Sequence, residues 1–149
     1  MISQKTKTME TITKSKVLYT AKTHTVGGRD HGVAKSSDGN LDIKLSTPGT
    51  NGIGTNPEQL FAAGWSACFE GALGIAANKA RVALPHDPVV DAEIDLCLDK
   101  GEFSLQARLN VSLPGLDREI GWELIHAAEN ICPYSKAIKG NVPAEINLV

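Results

Sequence analysis

The order of hydrophobic patterns along the chain predicts an α+β fold. Three observations carry this. Strand-like and helix-like segments follow in the order strands, helix, hairpin, helix, strand, which is not a βαβ repeat. One run, Leu60–Ala77, holds 18 mostly small or apolar residues and suits a single buried helix. Residues 103–113 alternate apolar and polar without a break, as a strand with one buried face does. At 149 residues the chain has the length of one domain and can bury a core without staples. We assign residues 1–16 to a flexible N-terminal tail and 17–149 to a single domain. The tail is rich in Thr, Ser and Lys and lacks the apolar core of a signal peptide.

Each element has its own signal. Val17–Thr25 (VLYTAKTHT) is rich in β-formers and reads as a strand. Gly27-Gly28 and Ser36-Ser37-Asp38-Gly39 read as turns. Leu41, Ile43 and Leu45 alternate with Asp42 and Lys44, a short half-buried strand. A Gly-rich loop follows at Thr47–Thr55. Asn56 is a helix cap, Pro57 fits the first helical position, and Glu58 sits where the helix dipole favours an anion. The helix is expected from Pro57 to about Lys79. Val90, Ala92, Ile94, Leu96 and Leu98 share one face of the next strand. Asp99-Lys100-Gly101-Glu102 turns the chain into the alternating strand that starts at Phe103. A second helix is expected over Asp117–Ile131 and ends before Pro133. Val142, Ala144, Ile146 and Leu148 alternate as a closing strand.

Composition excludes several classes. Hydrophobic residues are 42% and charged residues 21%, so disorder is not the main state. A net charge of −2 argues against nucleic-acid binding by bulk charge. Glu70 and four Gly or Ser positions make Leu60–Ala77 a soluble core helix rather than a membrane span. Three cysteines do not make a disulfide framework. His24, His31, His86 and His126 form no ligand motif with them, and no bound metal or cofactor is expected.

Chemistry therefore rests on the cysteines. Cys97 falls on the polar face of a hairpin strand and reads as a bystander. Cys68 lies mid-helix beside Trp65 and Phe69, and Cys132 lies at a helix end. Taken alone, these two fit buried core thiols as well as a catalytic pair.

The run Thr55-Asn56-Pro57-Glu58-Gln59-Leu60-Phe61-Ala62-Ala63-Gly64-Trp65-Ser66-Ala67-Cys68-Phe69 resembles the signature of the organic hydroperoxide resistance (Ohr) proteins of the Ohr/OsmC superfamily. Gly27-Gly28-Arg29-Asp30 resembles their arginine loop, Leu41–Pro48 their strand before the helix, and Asn130–Ser135 their second cysteine motif. One departure is His31, which stands before Gly32 where the family pattern has Gly.

The resemblance implies antiparallel sheets around a long central helix, and an intertwined homodimer with its sites at the subunit interface. It implies a thiol peroxidase acting on organic hydroperoxides. Cys68 resembles the peroxidatic cysteine and Cys132 the resolving one, while Arg29 and Glu58 resemble the pair that activates the thiolate. The reductant implied is dihydrolipoamide or a lipoylated protein. Phe61, Trp65, Phe69 and Tyr134 lie near these motifs as candidate walls for an alkyl or fatty-acid substrate, with plain core packing the competing role. A disulfide that opens in each cycle suits a reducing, cytoplasmic setting. Alternatives are an OsmC-branch peroxidase of other peroxide preference, or a binding module with inert thiols.

The chemistry needs these residues. Peroxide is attacked by thiolate, and an ordinary Cys has a pKa of about 8.5. Cys68 stands ten residues past Glu58, too deep for the dipole of its own helix to help. A cation such as Arg29 is required. Ten residues span about 15 Å, so either the helix breaks near Gly64 or Arg29 and Glu58 reach Cys68 from a second subunit. The second is the expectation. Cys132, ending a helix, is expected to be the slower nucleophile.

Overall fold

The computed structural model describes residues 15–149. The tail assigned to 1–16 lies almost wholly outside the described residues. The elements are β1 (Thr23–Val26), α1 (Gly28–His31), β2 (Val33–Ser36), β3 (Asp42–Lys44), α2 (Pro57–Ala80), β4 (Val89–Asp99), β5 (Glu102–Ser112), α3 (Arg118–Ile131), α4 (Pro133–Ile138) and β6 (Ala144–Leu148).

Helix α2 is the centre. It begins as the sequence indicates: the Asn56 side chain accepts from Gln59 N at 2.9 Å, and Pro57 opens the first turn. It runs unbroken to Ala80. Trp65, Phe69, Ala72, Leu73, Ala76 and Ala77 form its buried face, against β4, α3 and α4. By length and composition α2 could cross a membrane; here α3, α4 and β4 pack on one of its faces.

Two sheets flank it. The first has the order β1-β2-β3, all antiparallel. Strand β2 was not anticipated: its four residues, VAKS, are too few to establish a period. The strand expected over Val17–Thr25 is present only at Thr23–Val26. Val17, Leu18 and Tyr19 are exposed and have no neighbouring strand among the described residues.

The second sheet has the order β4-β5-β6. Its hairpin matches the expected register, with Val90 opposite Val111 and Leu98 opposite Phe103. Lys100 and Gly101 form the two-residue turn, both with positive φ (48° and 82°), which suits the twist of the strands. The expected core face is buried only toward the open end, at Val90, Ala107, Leu109 and Val111. Toward the turn the same face is uncovered: Leu96, Leu98 and Phe103 are 44%, 64% and 72% exposed. β6 pairs with β5 in parallel, which corrects the wholly antiparallel expectation. The α3–α4 crossover between β5 and β6 carries the chain back to the same end, so the two strands must run the same way.

Candidate active site

The site is built from α2, the α3–α4 junction and the α1 turn. Cys68 sits mid-way along α2, one turn past Trp65 on the same side. Cys132 ends α3: its backbone N–H donates to Ala128 O at 2.8 Å. It also caps α4, because its Sγ accepts from Ser135 N at 3.5 Å. Two helix ends therefore meet at Cys132, and the expectation based on α3 alone covers only half of its surroundings. Pro133 provides the break, since it cannot supply the N–H that would continue α3.

Folding brings the two cysteines together across 64 positions. The Cys132 S–H donates to Cys68 Sγ at 3.2 Å, and both are free thiols. Cys132 is fully buried, while Cys68 is partly exposed. Burial raises the Cys68 pKa above its ordinary value. A backbone hydrogen bond from Tyr134 opposes the rise, and Cys132 adds to it. A single chain thus holds the pair but does not by itself favour the thiolate.

Around the sulfurs, Phe61 meets Trp65 and Tyr134 edge to face, with ring centroids 6.1 and 6.0 Å away. Tyr134 lies directly over Gly64, where an added Cβ would stand 2.6 Å from its hydroxyl. The four proposed walls divide. Phe61 and Tyr134 keep exposed surface and face the cysteines' side of α2. Trp65 and Phe69 are 1% and 0% exposed and pack in the core, so they support the site from behind.

The arginine turn is compact. Gly27 and Gly28 have positive φ (85° and 72°), and Gly32 N donates to Gly28 O at 3.0 Å. A Cβ on Gly32 would collide with the carbonyls of Val26 and Gly28. His31 is accommodated within the α1 turn, so the chain curls into one helical turn before that glycine. Arg29 Nη2 donates to Glu58 Oε2 at 2.7 Å. Thr47 Oγ1 donates to Asp30 Oδ1 at 3.1 Å and ties the turn to the loop before α2. The predicted Arg29–Glu58 pairing is therefore present. It forms at the start of α2, about 15 Å along the axis from Cys68. Because α2 has no break at Gly64, one chain holds two separate half-sites.

A model of the OsmC-like protein family matches residues 49–147. An organic hydroperoxide resistance protein of Xanthomonas axonopodis pv. citri is 43% identical over 137 residues, covering 89% of this chain and 96% of that protein. The chain belongs to the organic hydroperoxide resistance branch of the OsmC-like family. The Bacillus subtilis protein OhrB of this family is 42% identical over 136 residues, covering 88% and 98% of the two chains. The crystal structure of OhrB superposes with a TM-score of 0.84 at 41% identity, covering 89% of this chain and all of that one. The Ohr-like fold expected from the motifs is thus the fold observed.

Beside the cysteines of this Ohr-family chain lies a polar residue to which the motifs give no role. Ser135 is buried, and its Oγ accepts from Trp65 Nε1 at 3.0 Å. The available signal was a buried Trp, which needs an acceptor, and a small polar residue three positions past a capping cysteine. Cys97 stays apart from the site on the outer face of β4, near the Asp95 carbonyl. Among the described residues, no three His, Cys, Asp or Glu side chains are grouped to hold a metal ion.

Proposed function

We propose that the chain is a thiol peroxidase that reduces organic hydroperoxides to alcohols. The observation that carries this is the Cys68–Cys132 pair, two reduced sulfurs 3.2 Å apart at the end of a partly exposed aromatic wall. The names of the relatives support the substrate class.

The cycle balances as follows. Cys68 thiolate attacks one peroxide oxygen, the O–O bond breaks, and the product alkoxide leaves and takes a proton to become the alcohol. Cys68 is left as sulfenic acid. The Cys132 thiol attacks the sulfenic sulfur, an S–S bond forms, and the oxygen leaves as water. An external dithiol of the dihydrolipoyl type returns both thiols by two exchange steps and is itself oxidised to a cyclic disulfide. These steps require no bound cofactor. They suit a compartment that keeps thiols reduced, and we assign the protein to the cytoplasm on that ground.

In this reading Arg29 and Glu58 reach Cys68 from a second copy of the chain. Three features support a two-fold dimer. The half-sites lie about 15 Å apart on an unbroken helix. Ala63, Ala67 and Gly71 form an exposed stripe along α2, small enough for a second helix to approach closely, and the exposed Ile75 extends it. The apolar tip of the hairpin is uncovered in one chain. The arriving guanidinium would offset the burial of Cys68, stabilise the thiolate and donate to the departing alkoxide, while Glu58 fixes its orientation.

The test is steady-state consumption of tert-butyl hydroperoxide and hydrogen peroxide with dihydrolipoamide as reductant. Wild type should turn over and favour the organic peroxide, and Cys68→Ser should lose activity by about 10³-fold or more. Reduced, folded wild type that consumes neither peroxide would replace this reading with a binding module whose thiols are inert.

A further inference from the structure

The hydrogen bond between Trp65 and Ser135 joins the two elements that carry the sulfurs. Trp65 stands three residues before Cys68 on α2, and Ser135 stands three residues after Cys132 on α4. Trp65 Nε1–H donates to Ser135 Oγ at 3.0 Å, with Trp65 1% and Ser135 9% exposed. The backbone N–H of the same Ser135 donates to Cys132 Sγ at 3.5 Å. Tyr134 of α4 also gives a backbone hydrogen bond to the Cys68 thiol, and the Trp65–Ser135 bond adds a side chain-to-side chain link between the same two helices. Because both partners are buried, neither can exchange this bond for one to water without cost.

We propose that Ser135 is a positioning residue for disulfide formation: its hydroxyl, anchored by Trp65, holds the turn that presents Cys132 Sγ to Cys68. The inference rests on the peroxidase reading and adds a residue to it. To form the disulfide the sulfurs must close from 3.2 Å to about 2.05 Å. Cys132 attacks the sulfenic sulfur of Cys68, the S–O bond breaks and water leaves. A second peroxide competes by adding another oxygen to the same sulfenic acid, giving sulfinic acid. The tether acts on this competition, because a misplacement of about 1 Å slows an intramolecular attack strongly.

The experiment uses the full-length protein, reduced and then given excess tert-butyl hydroperoxide without reductant. Intact-mass spectrometry measures the partition of Cys68 between disulfide and sulfinic acid. Wild type should give mainly disulfide. Ser135→Ala should slow resolution about tenfold and shift the product toward sulfinic acid. Ser135→Thr, which keeps the hydroxyl, should restore the wild-type partition. Trp65→Phe, which removes only the donor's side of the tether, should shift it in the same direction as Ser135→Ala and decides the matter if Ser135→Ala does not fold. A wild-type partition in Ser135→Ala or in Trp65→Phe would overturn the proposal. Equal impairment of Ser135→Ala and Ser135→Thr would overturn it too, since the hydroxyl would then not be the cause. Wild type that forms no disulfide at all would instead overturn the peroxidase reading, and this inference with it.

Discussion

The two half-sites on α2 are held in different ways. Around Cys68 and Cys132 the packing is tight: Cys132, Trp65 and Phe69 are almost wholly shielded, and the Trp65–Ser135 bond locks one helix to the other. Arg29 sits on a four-residue turn at the edge of the first sheet, with its side chain 39% exposed, and is held by one carboxylate that is 13% exposed. The buried half fixes the distance between two sulfurs that must bond. In the proposed cycle the exposed half would supply a charge that arrives, acts and releases a product. A rigid frame suits bond formation, and a turn tied by few contacts suits a group that has to move.

The sharpest way to break this contrast is to remove the charge. Arg29→Ala should lower kcat/KM for organic peroxide by about 10²–10³-fold, the cost of losing one group that stabilises developing charge. It should leave the distance between the sulfurs, and hence disulfide formation by a slow-acting oxidant, nearly unchanged. The pH profile gives the sign. The reactive form of Cys68 is deprotonated, so the rate rises as pH passes upward through its pKa. Burial pushes that pKa up. Without Arg29 only the Tyr134 backbone hydrogen bond opposes the burial, and the rising limb should move to higher pH. A fall in rate with no shift of that limb would leave Arg29 only a role in binding peroxide.

A milder change sharpens the other half. At Gly64 an added methyl would meet the Tyr134 hydroxyl and ring. Gly64→Ala should push Tyr134 off α2 and change kcat/KM for bulky peroxides by about tenfold, with a smaller effect on hydrogen peroxide. Parallel effects on both peroxides would remove Tyr134 from the substrate wall.

The smallest effect is expected where an arginine pair has no chemistry attached. Arg108 donates to both oxygens of Asp95 at 2.8 and 2.9 Å on the outer face of the hairpin, and this holds the Asp95 carboxyl down to about 2. The pair is open to solvent and screened. Asp95→Asn should leave turnover intact and lower Tm by only about 2 °C at neutral pH. A carboxyl lowered from 3.8 to about 2 stabilises above its unfolded pKa. That contribution is lost as pH falls between those values, so the difference in Tm should shrink there. A large loss of activity in Asp95→Asn would show that this face also serves the reaction.

Much of this was legible in the chain itself, and the residues show why. Asn56-Pro57-Glu58 marks the start of α2 by capping chemistry alone, and the alternation from Phe103 to Leu113 sets a register that a one-residue slip would invert. The two cysteine motifs and the arginine loop resembled one family strongly enough to indicate partners 64 positions apart. The rest depends on what a local pattern does not contain. The four residues of β2 become a strand because β1 and β3 lie on either side. α4 follows Pro133 because Cys132 caps it, although the proline reads only as a stop. The direction of β6 is set by the crossover before it. Trp65 and Phe69 suit a substrate wall or the core equally well in the motif, and packing buries both. The division of the site was accessible by arithmetic, since ten helical residues cannot bring Glu58 to Cys68.

In the proposed dimer the cysteines of one chain work with Arg29 of the other. Equal amounts of Arg29→Ala and Cys68→Ser protein, each inactive alone, would be mixed under conditions where exchange of subunits is verified by mass. About half of the dimers should then be mixed, each with one complete site, and peroxide turnover should recover to about a quarter of the wild-type value per chain. No recovery in a sample proven to hold mixed dimers would contradict the shared site and would require Arg29 to reach Cys68 within its own chain.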